Sequence, residues 1–245
     1  MFGQMGVLWY EKLLMNIVNS GEIPKHIAII MDGNRRYAKK MNFEKVAEGH
    51  QEGANKLKQL IEWLSLLNGV KVLTVYAFSL LNFKRNQEEV ADLMDLAEKT
   101  FKEIADNPQT LAEKNCKVNF IGEVQMLDEK VIKQIRRCEE NAPKNPKFIL
   151  NICVCYTAQD EIEQARDKCI ENNISPSYDE VFKNLMLPQK PDLLIRTSGV
   201  LRMSNFLLMQ CDHTPIYITN ELWPELSAYT LFKILISYQL RKMYP

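Results

Sequence analysis

Aspartate, arginine, serine and asparagine recur in this chain directly after short apolar runs. The first such place is Asp32-Gly33-Asn34-Arg35-Arg36, which follows the run Ile27 to Met31. A strand ending at a carboxylate and a glycine lets the backbone turn and approach a ligand closely. Asn34 is suited to cap a helix that begins there, and the free N–H groups of that helix start would face an anion. Arg35 and Arg36 place two cations in the first turn, the unfavourable end for the helix dipole. An anion seated there removes the conflict. Asp32 beside such an anion suggests a metal ion bridging carboxylate and phosphate, with Mg²⁺ the best match. The competing reading is a capped turn with two surface arginines.

The same pattern appears twice more. Arg196-Thr197-Ser198-Gly199 follows Asp192 to Ile195, with Arg202 and Ser204 just beyond. Guanidinium forks match phosphate oxygens. One such contact in a partly desolvated site contributes about 4 kcal/mol of Coulomb attraction before desolvation costs. Ser79, Asn82 and Arg85 follow the run Val70 to Phe78. His50 lies in Glu48-Gly49-His50-Gln51-Glu52-Gly53, ahead of a helical pattern. A lone histidine is more often structural than catalytic. Three strand ends carrying arginine, serine or asparagine, one of them also carrying aspartate, suggest a site for more than one phosphate group. Ordinary strand-to-helix loops are the alternative. The chain has no G-x-x-x-x-G-K-[ST] and no G-x-G-x-x-G after a strand, which argues against P-loop and dinucleotide chemistry.

These residues need a scaffold, and the apolar pattern supplies one. The runs Ile27–Met31, Val70–Phe78, Val118–Ile121, Phe148–Tyr156, Leu193–Ile195 and Ile216–Ile218 are short, and several are continuous rather than alternating. Such runs suit parallel strands buried on both faces. Between them Leu57, Leu60, Ile61, Leu64 and Leu67, and then Val90, Leu93, Met94, Ala97, Phe101 and Ile104, recur at helical spacing. Leu231, Phe232, Leu235, Ile236 and Tyr238 do the same near the C-terminus. The expected fold is a single α/β layered domain with a mostly parallel central sheet, its site beyond the carboxyl ends of the strands. An amphipathic helix is expected within residues 1–22, ahead of a catalytic domain over 23–245. Trp9, Leu13, Leu14, Ile17 and Val18 are expected on one face of that helix, packed on the core or touching a membrane.

Bulk properties narrow the class. The 245 residues hold 31 Lys plus Arg against 31 Asp plus Glu, so no net charge draws the chain to nucleic acid. No stretch reaches the roughly 20 apolar residues of a membrane span. The six cysteines form no C-x-x-C pair, and neither a zinc site nor a secretory leader is expected. A cytoplasmic setting with reduced thiols fits.

The ordered set of segments resembles the cis-prenyltransferase family, and within it the eukaryotic catalytic subunits of dehydrodolichyl diphosphate synthase. The resemblance runs from the Leu8-Trp9 helix through Pro24 to Lys40, Glu48 to His50, Thr74 to Ser79, Asn82 to Arg85, Asp192 to Gly199 and Leu222 to Glu225. It implies lengthening of an allylic diphosphate, farnesyl diphosphate above all, with isopentenyl diphosphate. By resemblance, Asp32 binds Mg²⁺ and assists departure of diphosphate. Gly33, Asn34, Arg35 and Arg36 hold the allylic diphosphate, and Arg196, Arg202 and Ser204 hold that of isopentenyl diphosphate. His50, Ser79, Asn82 and Arg85 lie near the reacting centre, with the proton acceptor left open. Phe78 stands at the mouth of an apolar tunnel. The product implied is a long polyprenyl diphosphate for dolichol synthesis, made at the cytosolic face of the endoplasmic reticulum.

Departures from the family pattern are specific. Leu81 and Val200 stand where glutamate is usual, Val46 where arginine is usual, and Pro215 where bacterial members carry a metal-linked glutamate. The chain ends Tyr238 to Pro245 without the R-x-G motif of single-subunit members. The resemblance therefore implies a heteromer in which a Nogo-B-receptor-like subunit supplies R-x-G. The alternatives are a catalytically impaired subunit of the same complex and a phosphate- or nucleotide-binding α/β protein.

Overall fold

A computed structural model describes residues 6–109 and 115–243. Six strands form one parallel sheet: β1 (His26–Ile30), β2 (Val72–Ser79), β3 (Cys116–Ile121), β4 (Phe148–Tyr156), β5 (Leu193–Arg196) and β6 (Ile216–Ile218). Their spatial order is β3-β4-β2-β1-β5-β6, every pairing parallel. Each expected strand is present within one or two residues. The continuous apolar runs have a simple cause, since both faces of the sheet are covered. Ile27, Ile29, Leu73, Val75, Ile152 and Ile195 point into the larger core, while Ala28, Ile30, Cys153 and Leu194 enter a smaller one on the opposite face. Alternate residues thus serve two cores.

Helices α3 (Val46–Ser65), α4 (Gln87–Ala105), α5 (Glu129–Glu140) and α8 (Ala228–Met243) build the larger core with α1 (Trp9–Val18). Trp63 and Trp223 are its largest buried side chains. α6 (Ala158–Glu171) and α7 (Tyr178–Lys183) flank the thinner side. β1 has β2 on one side and β5 on the other, so the chain order reverses there. The crevice beyond the strand ends at such a point is where open α/β sheets bind ligands.

Three local expectations are corrected. Helix α2 (Asn34–Lys40) starts one residue early: Gly33, at φ 120°, takes the capping position and Asn34 does not cap. His50 lies inside α3 rather than ahead of it. Gly49 and Gly53 are tolerated in that helix because a Cβ at either would meet Asn34 or Ala38 of α2 within 3 Å, so their absence of side chain permits close helix contact. In α1 the apolar residues divide between two faces. Met15 and Val18 are buried, whereas Leu13 and Ile17 are exposed and Trp9 is 76% exposed.

Candidate active site

Every site residue named from the sequence lines one cleft of about 740 Å³ at the carboxyl ends of β1, β2 and β5. The strand ends bring them together. Asp32 follows β1, Ser79 ends β2 and Arg196 ends β5. Thr197 locks two of these ends. Its hydroxyl accepts the Asp32 N–H at 2.9 Å and donates to the Asp32 carbonyl at 2.6 Å. The carboxylate is thereby held on a fixed backbone.

Arg196 is the organising cation. Its guanidinium is 3% exposed and donates to Asp32 Oδ2 at 2.8 Å and Ser204 Oγ at 2.7 Å. It also donates to the carbonyl of Arg202, whose own Nε reaches Ser204 Oγ at 3.3 Å. Arg36 Nη2 stands 3.4 Å from Asp32 Oδ1 and its Nη1 donates to the Ser198 carbonyl at 3.1 Å. Burial would raise the Asp32 carboxyl. Hydrogen bonds from Arg196 and Ser198 and the charges of Arg196 and Arg36 outweigh it and hold the group below the usual carboxylate range. Asp32 is therefore ionised at neutral pH. Among the described residues the cleft carries five arginines, Arg35, Arg36, Arg85, Arg196 and Arg202, and Asp32 is the one acidic residue lining it. That balance suits a polyanion.

The third strand end is shaped by a bulge. Pairing of β2 with β4 shifts register between Tyr76 and Phe78 and again before Ser79, which re-aims the residues that follow. Ser79 Oγ accepts the Leu81 N–H at 3.2 Å and Asn82 Oδ1 accepts the Ser79 N–H at 3.0 Å. The two side chains build the turn that presents Arg85. His50 is half-buried, and burial first, then the Arg85 charge, lower its pKa to about 4 against the opposing pull of Glu89. It is neutral at physiological pH, with Nε2 lacking any hydrogen-bond partner.

The cleft continues into an apolar cavity of about 140 Å³ between the sheet, α3 and α4. Met31, Asn34, His50, Ala77, Phe78 and Leu93 line both spaces. Phe78 thus stands at the junction. Farther in, Leu57, Ile61, Ala97, Phe101 and Ile104 form the wall. A polyanion cradle opening into a greasy channel suits an amphiphile with a charged head and a hydrocarbon tail.

A family model described as "Putative undecaprenyl diphosphate synthase" matches residues 30–244. The chain belongs to the cis-prenyltransferase family. It is 36% identical to the human dehydrodolichyl diphosphate synthase complex subunit DHDDS over 95% of this chain and 72% of that one. It is 39% identical to a geranylgeranyl-diphosphate-specific tritrans,polycis-undecaprenyl-diphosphate synthase of Thermococcus kodakarensis, over 95% and 90% of the two chains. The crystal structure of lavandulyl diphosphate synthase from Lavandula x intermedia with dimethylallyl diphosphate superposes with a TM-score of 0.79. There the identity is 31%, and the match covers 91% of this chain and 96% of that one. The activity is accordingly cis-prenyl chain elongation on prenyl diphosphates, the chemistry of polyprenyl diphosphate synthases.

Against the cis-prenyltransferase pattern, the four departures fall in different places. Leu81 and Val200 line the cleft, and Leu81 is exposed. Val46 begins α3 and Pro215 precedes β6, and neither lines the cleft. Sequence reading overlooked Glu89. This carboxylate, 16% exposed, accepts from Arg85 Nη1 at 2.7 Å and lies 3.6 Å from Arg35 Nη1 and 3.8 Å from His50 Nε2. Its i,i+4 spacing from Arg85 was the available signal. Sequence reading also passed over Asn205, another cleft residue.

Proposed function

We propose that this cis-prenyltransferase is the catalytic subunit of a heteromeric long-chain polyprenyl diphosphate synthase acting toward dolichol. Its substrates would be farnesyl diphosphate and isopentenyl diphosphate. The single observation that carries the reading is the continuity of the five-arginine cleft with the apolar cavity at Phe78. Asn34, Arg35 and Arg36 would hold the allylic diphosphate with its tail directed past Phe78. Arg196, Arg202 and Ser204 would hold the diphosphate of isopentenyl diphosphate. Arginines placed where charge grows on the departing diphosphate lower the barrier to ionisation. His50 is neutral and able to take a proton, and Ser79, Asn82 and Arg85 stand on the same side of the cleft.

Cis-prenyltransferases generally depend on Mg²⁺, and the residues present fit it. Asp32 is ionised and 30% exposed. No cluster of three or more His, Cys, Asp or Glu able to hold a metal occurs among the described residues. A single carboxylate with substrate phosphates and water completing the shell is the ordinary mode for Mg²⁺. When bound, the ion would neutralise charge on the leaving diphosphate.

The heteromer, and with it a dimeric assembly with an R-x-G-bearing subunit, draws support from the complex-subunit name of the human relative. Residues 23–245 would form the catalytic unit. No described helix is long and apolar enough to cross a membrane, so contact with the endoplasmic reticulum would be peripheral, through the exposed Trp9, Leu13 and Ile17. A role in supplying the lipid carrier of protein glycosylation follows from the same reading. A second reading, a catalytically impaired subunit, is favoured by Leu81 and Val200 lining the cleft where family members carry glutamate.

The deciding assay incubates the purified chain with farnesyl diphosphate, labelled isopentenyl diphosphate and Mg²⁺, with and without an R-x-G-bearing subunit. Extractable long-chain label that requires the subunit is expected. Label from the chain alone removes the heteromer. No label in either arm, with farnesyl diphosphate still raising the melting temperature, establishes the impaired subunit. Stabilisation by ATP in place of farnesyl diphosphate would overturn the prenyl substrate.

A further inference from the structure

The loop that carries Arg202 and Ser204 is held in an unusual backbone shape. Ser204, Asn205 and Leu207 have φ of 51°, 61° and 46°, in the left-handed region that costs most L-residues free energy. Asparagine tolerates it better than most. The chain persists there only if its surroundings hold it.

Asn205 supplies that hold through helix α6. Its carbonyl accepts the Ala158 N–H at 2.8 Å and its side-chain Oδ1 accepts the Gln159 N–H at 3.0 Å. The third N–H of the helix, from Asp160, goes to Thr157 Oγ1 at 3.2 Å. A helix start leaves four N–H groups without intrahelical partners, so one residue from a distant loop answers two of them. On the other side of Asn205, Phe206 is fully buried. It stacks on Tyr76 at 4.7 Å and meets the edge of Tyr156. Ser204 is therefore fixed from behind by a helix terminus and an aromatic stack, while its hydroxyl faces Arg196 and Arg202.

We propose that Asn205 is a positioning residue that fastens the anion-binding loop to the start of α6 and thereby sets affinity for isopentenyl diphosphate. This rests on the reading that Arg196, Arg202 and Ser204 hold that diphosphate. Without the Oδ1 bond the loop relaxes toward negative φ. Ser204 Oγ then leaves Arg196, and the cradle must be rebuilt on each binding event. Among the described residues Asn205 itself bonds only to the start of α6, and the allylic side of the cleft is built on β1 and α2.

The test is initial-rate kinetics of Asn205→Gly, Asn205→Asp, Asn205→Ala and Arg202→Ala, in whichever assembly supports wild-type turnover, with thermal melting of each. Glycine keeps the backbone freedom and loses the acceptor. Aspartate keeps both, and its charge suits a helix start. Asn205→Gly is expected to raise KM for isopentenyl diphosphate about ten-fold, the scale of one lost hydrogen bond. KM for the allylic diphosphate and kcat should stay within about two-fold of wild type, as for sites that do not couple. Asn205→Asp is expected to restore the wild-type KM, and Asn205→Ala to exceed Asn205→Gly because strain is added to the lost bond. A glycine variant that unfolds, or that moves both KM values together, makes Asn205 merely structural and overturns the proposal. If Arg202→Ala raises KM for isopentenyl diphosphate and Asn205→Gly does not, the positioning role alone falls. If Arg202→Ala leaves that KM unchanged, the diphosphate assignment falls and this proposal with it.

Discussion

Two polar regions of the molecule are buried in the same sheet, and they are built on opposite terms. Across four strands runs a closed ladder. Asn119 Nδ2 donates to Asn151 Oδ1 at 2.9 Å, Asn151 Nδ2 donates to Thr74 Oγ1 at 3.1 Å, and Thr74 Oγ1 lies 2.7 Å from His26 Nε2. The Thr74 hydroxyl accepts from Asn151, and burial keeps the His26 imidazole neutral near pH 7. At the strand ends the cleft is open in this sense. Asn34 Oδ1, His50 Nε2 and Arg196 Nε are buried without a hydrogen-bond partner. A buried polar atom left unpaired costs about 1–3 kcal/mol. The ladder satisfies its atoms from within and stabilises the sheet. The cleft leaves its atoms for a ligand.

The sharpest way to break this contrast is one isosteric change in each region. Asp32→Asn keeps an acceptor for Arg196 and removes the charge. Turnover is expected to fall on the order of 10²–10³-fold, the scale of losing an electrostatic group at a reacting centre, with the melting curve little moved. Thr74→Val does the reverse. It orphans His26 Nε2 and Asn151 Nδ2 together, and stability is expected to fall by about 4 kcal/mol. Turnover per folded molecule should stay within about two-fold of wild type, since none of the ladder groups lines the cleft. Denaturant melts and label incorporation on the same preparations decide. A folded but inactive Thr74→Val would mean that the regions are coupled.

The two regions also differed in how far the sequence disclosed them. The cleft residues follow apolar runs, and a carboxylate or guanidinium at such a boundary is visible without a structure. Thr74 and Asn151 lie inside runs that read as uninterrupted strand, and their pairing depends on the register Thr74↔Asn151 and Asn119↔Asn151, which periodicity does not encode. Glu89 was hidden differently. Glu88 and Glu89 together read as ordinary acids in the first turn of α4, where the dipole favours them. Only the fold turns one of them toward Arg35 on another helix. In α1, hydrophobic residues sit on two faces, so spacing alone could not say that Trp9 faces outward while Val18 packs inward.

Acid titration sharpens the contrast further. Burial, opposed by the charge of Asp192, lowers the His26 pKa to about 4 from the ordinary 6.5. The unfolded chain therefore binds more protons than the folded one between about pH 6.5 and pH 4. Stability from the neutral, laddered imidazole is complete above pH 6.5 and is lost as pH falls toward 4. The loss on full acidification is about 3 kcal/mol. His50 titrates over the same window. His26→Gln is thus expected to flatten part of the acid limb of the stability profile, with His50 contributing to the slope that remains. An unchanged acid limb would mean that His26 is already protonated in the fold.

Glu89 tests which set of terms governs a side chain lying between the two extremes. It is half-buried and well partnered, as in the ladder, yet its partners Arg35, Arg85 and His50 all line the cleft. Glu89→Gln keeps the shape and one acceptor for Arg85 but removes the counter-charge. An ion pair at a cleft that water still reaches adds little to stability, so the melting temperature should move by no more than about 2 °C. Without the carboxylate, Arg35 and Arg85 repel each other and lose their fixed aim at the cleft. An approximately ten-fold fall in kcat/KM is expected, equivalent to about 1.4 kcal/mol of transition-state stabilisation. Glu88→Gln, on the exposed neighbouring residue, should change neither quantity. If Glu89→Gln instead lowers stability and spares kcat/KM, Glu89 belongs with the ladder as structural support. Leu81→Glu, at the cleft-lining position, then becomes the variant expected to raise activity.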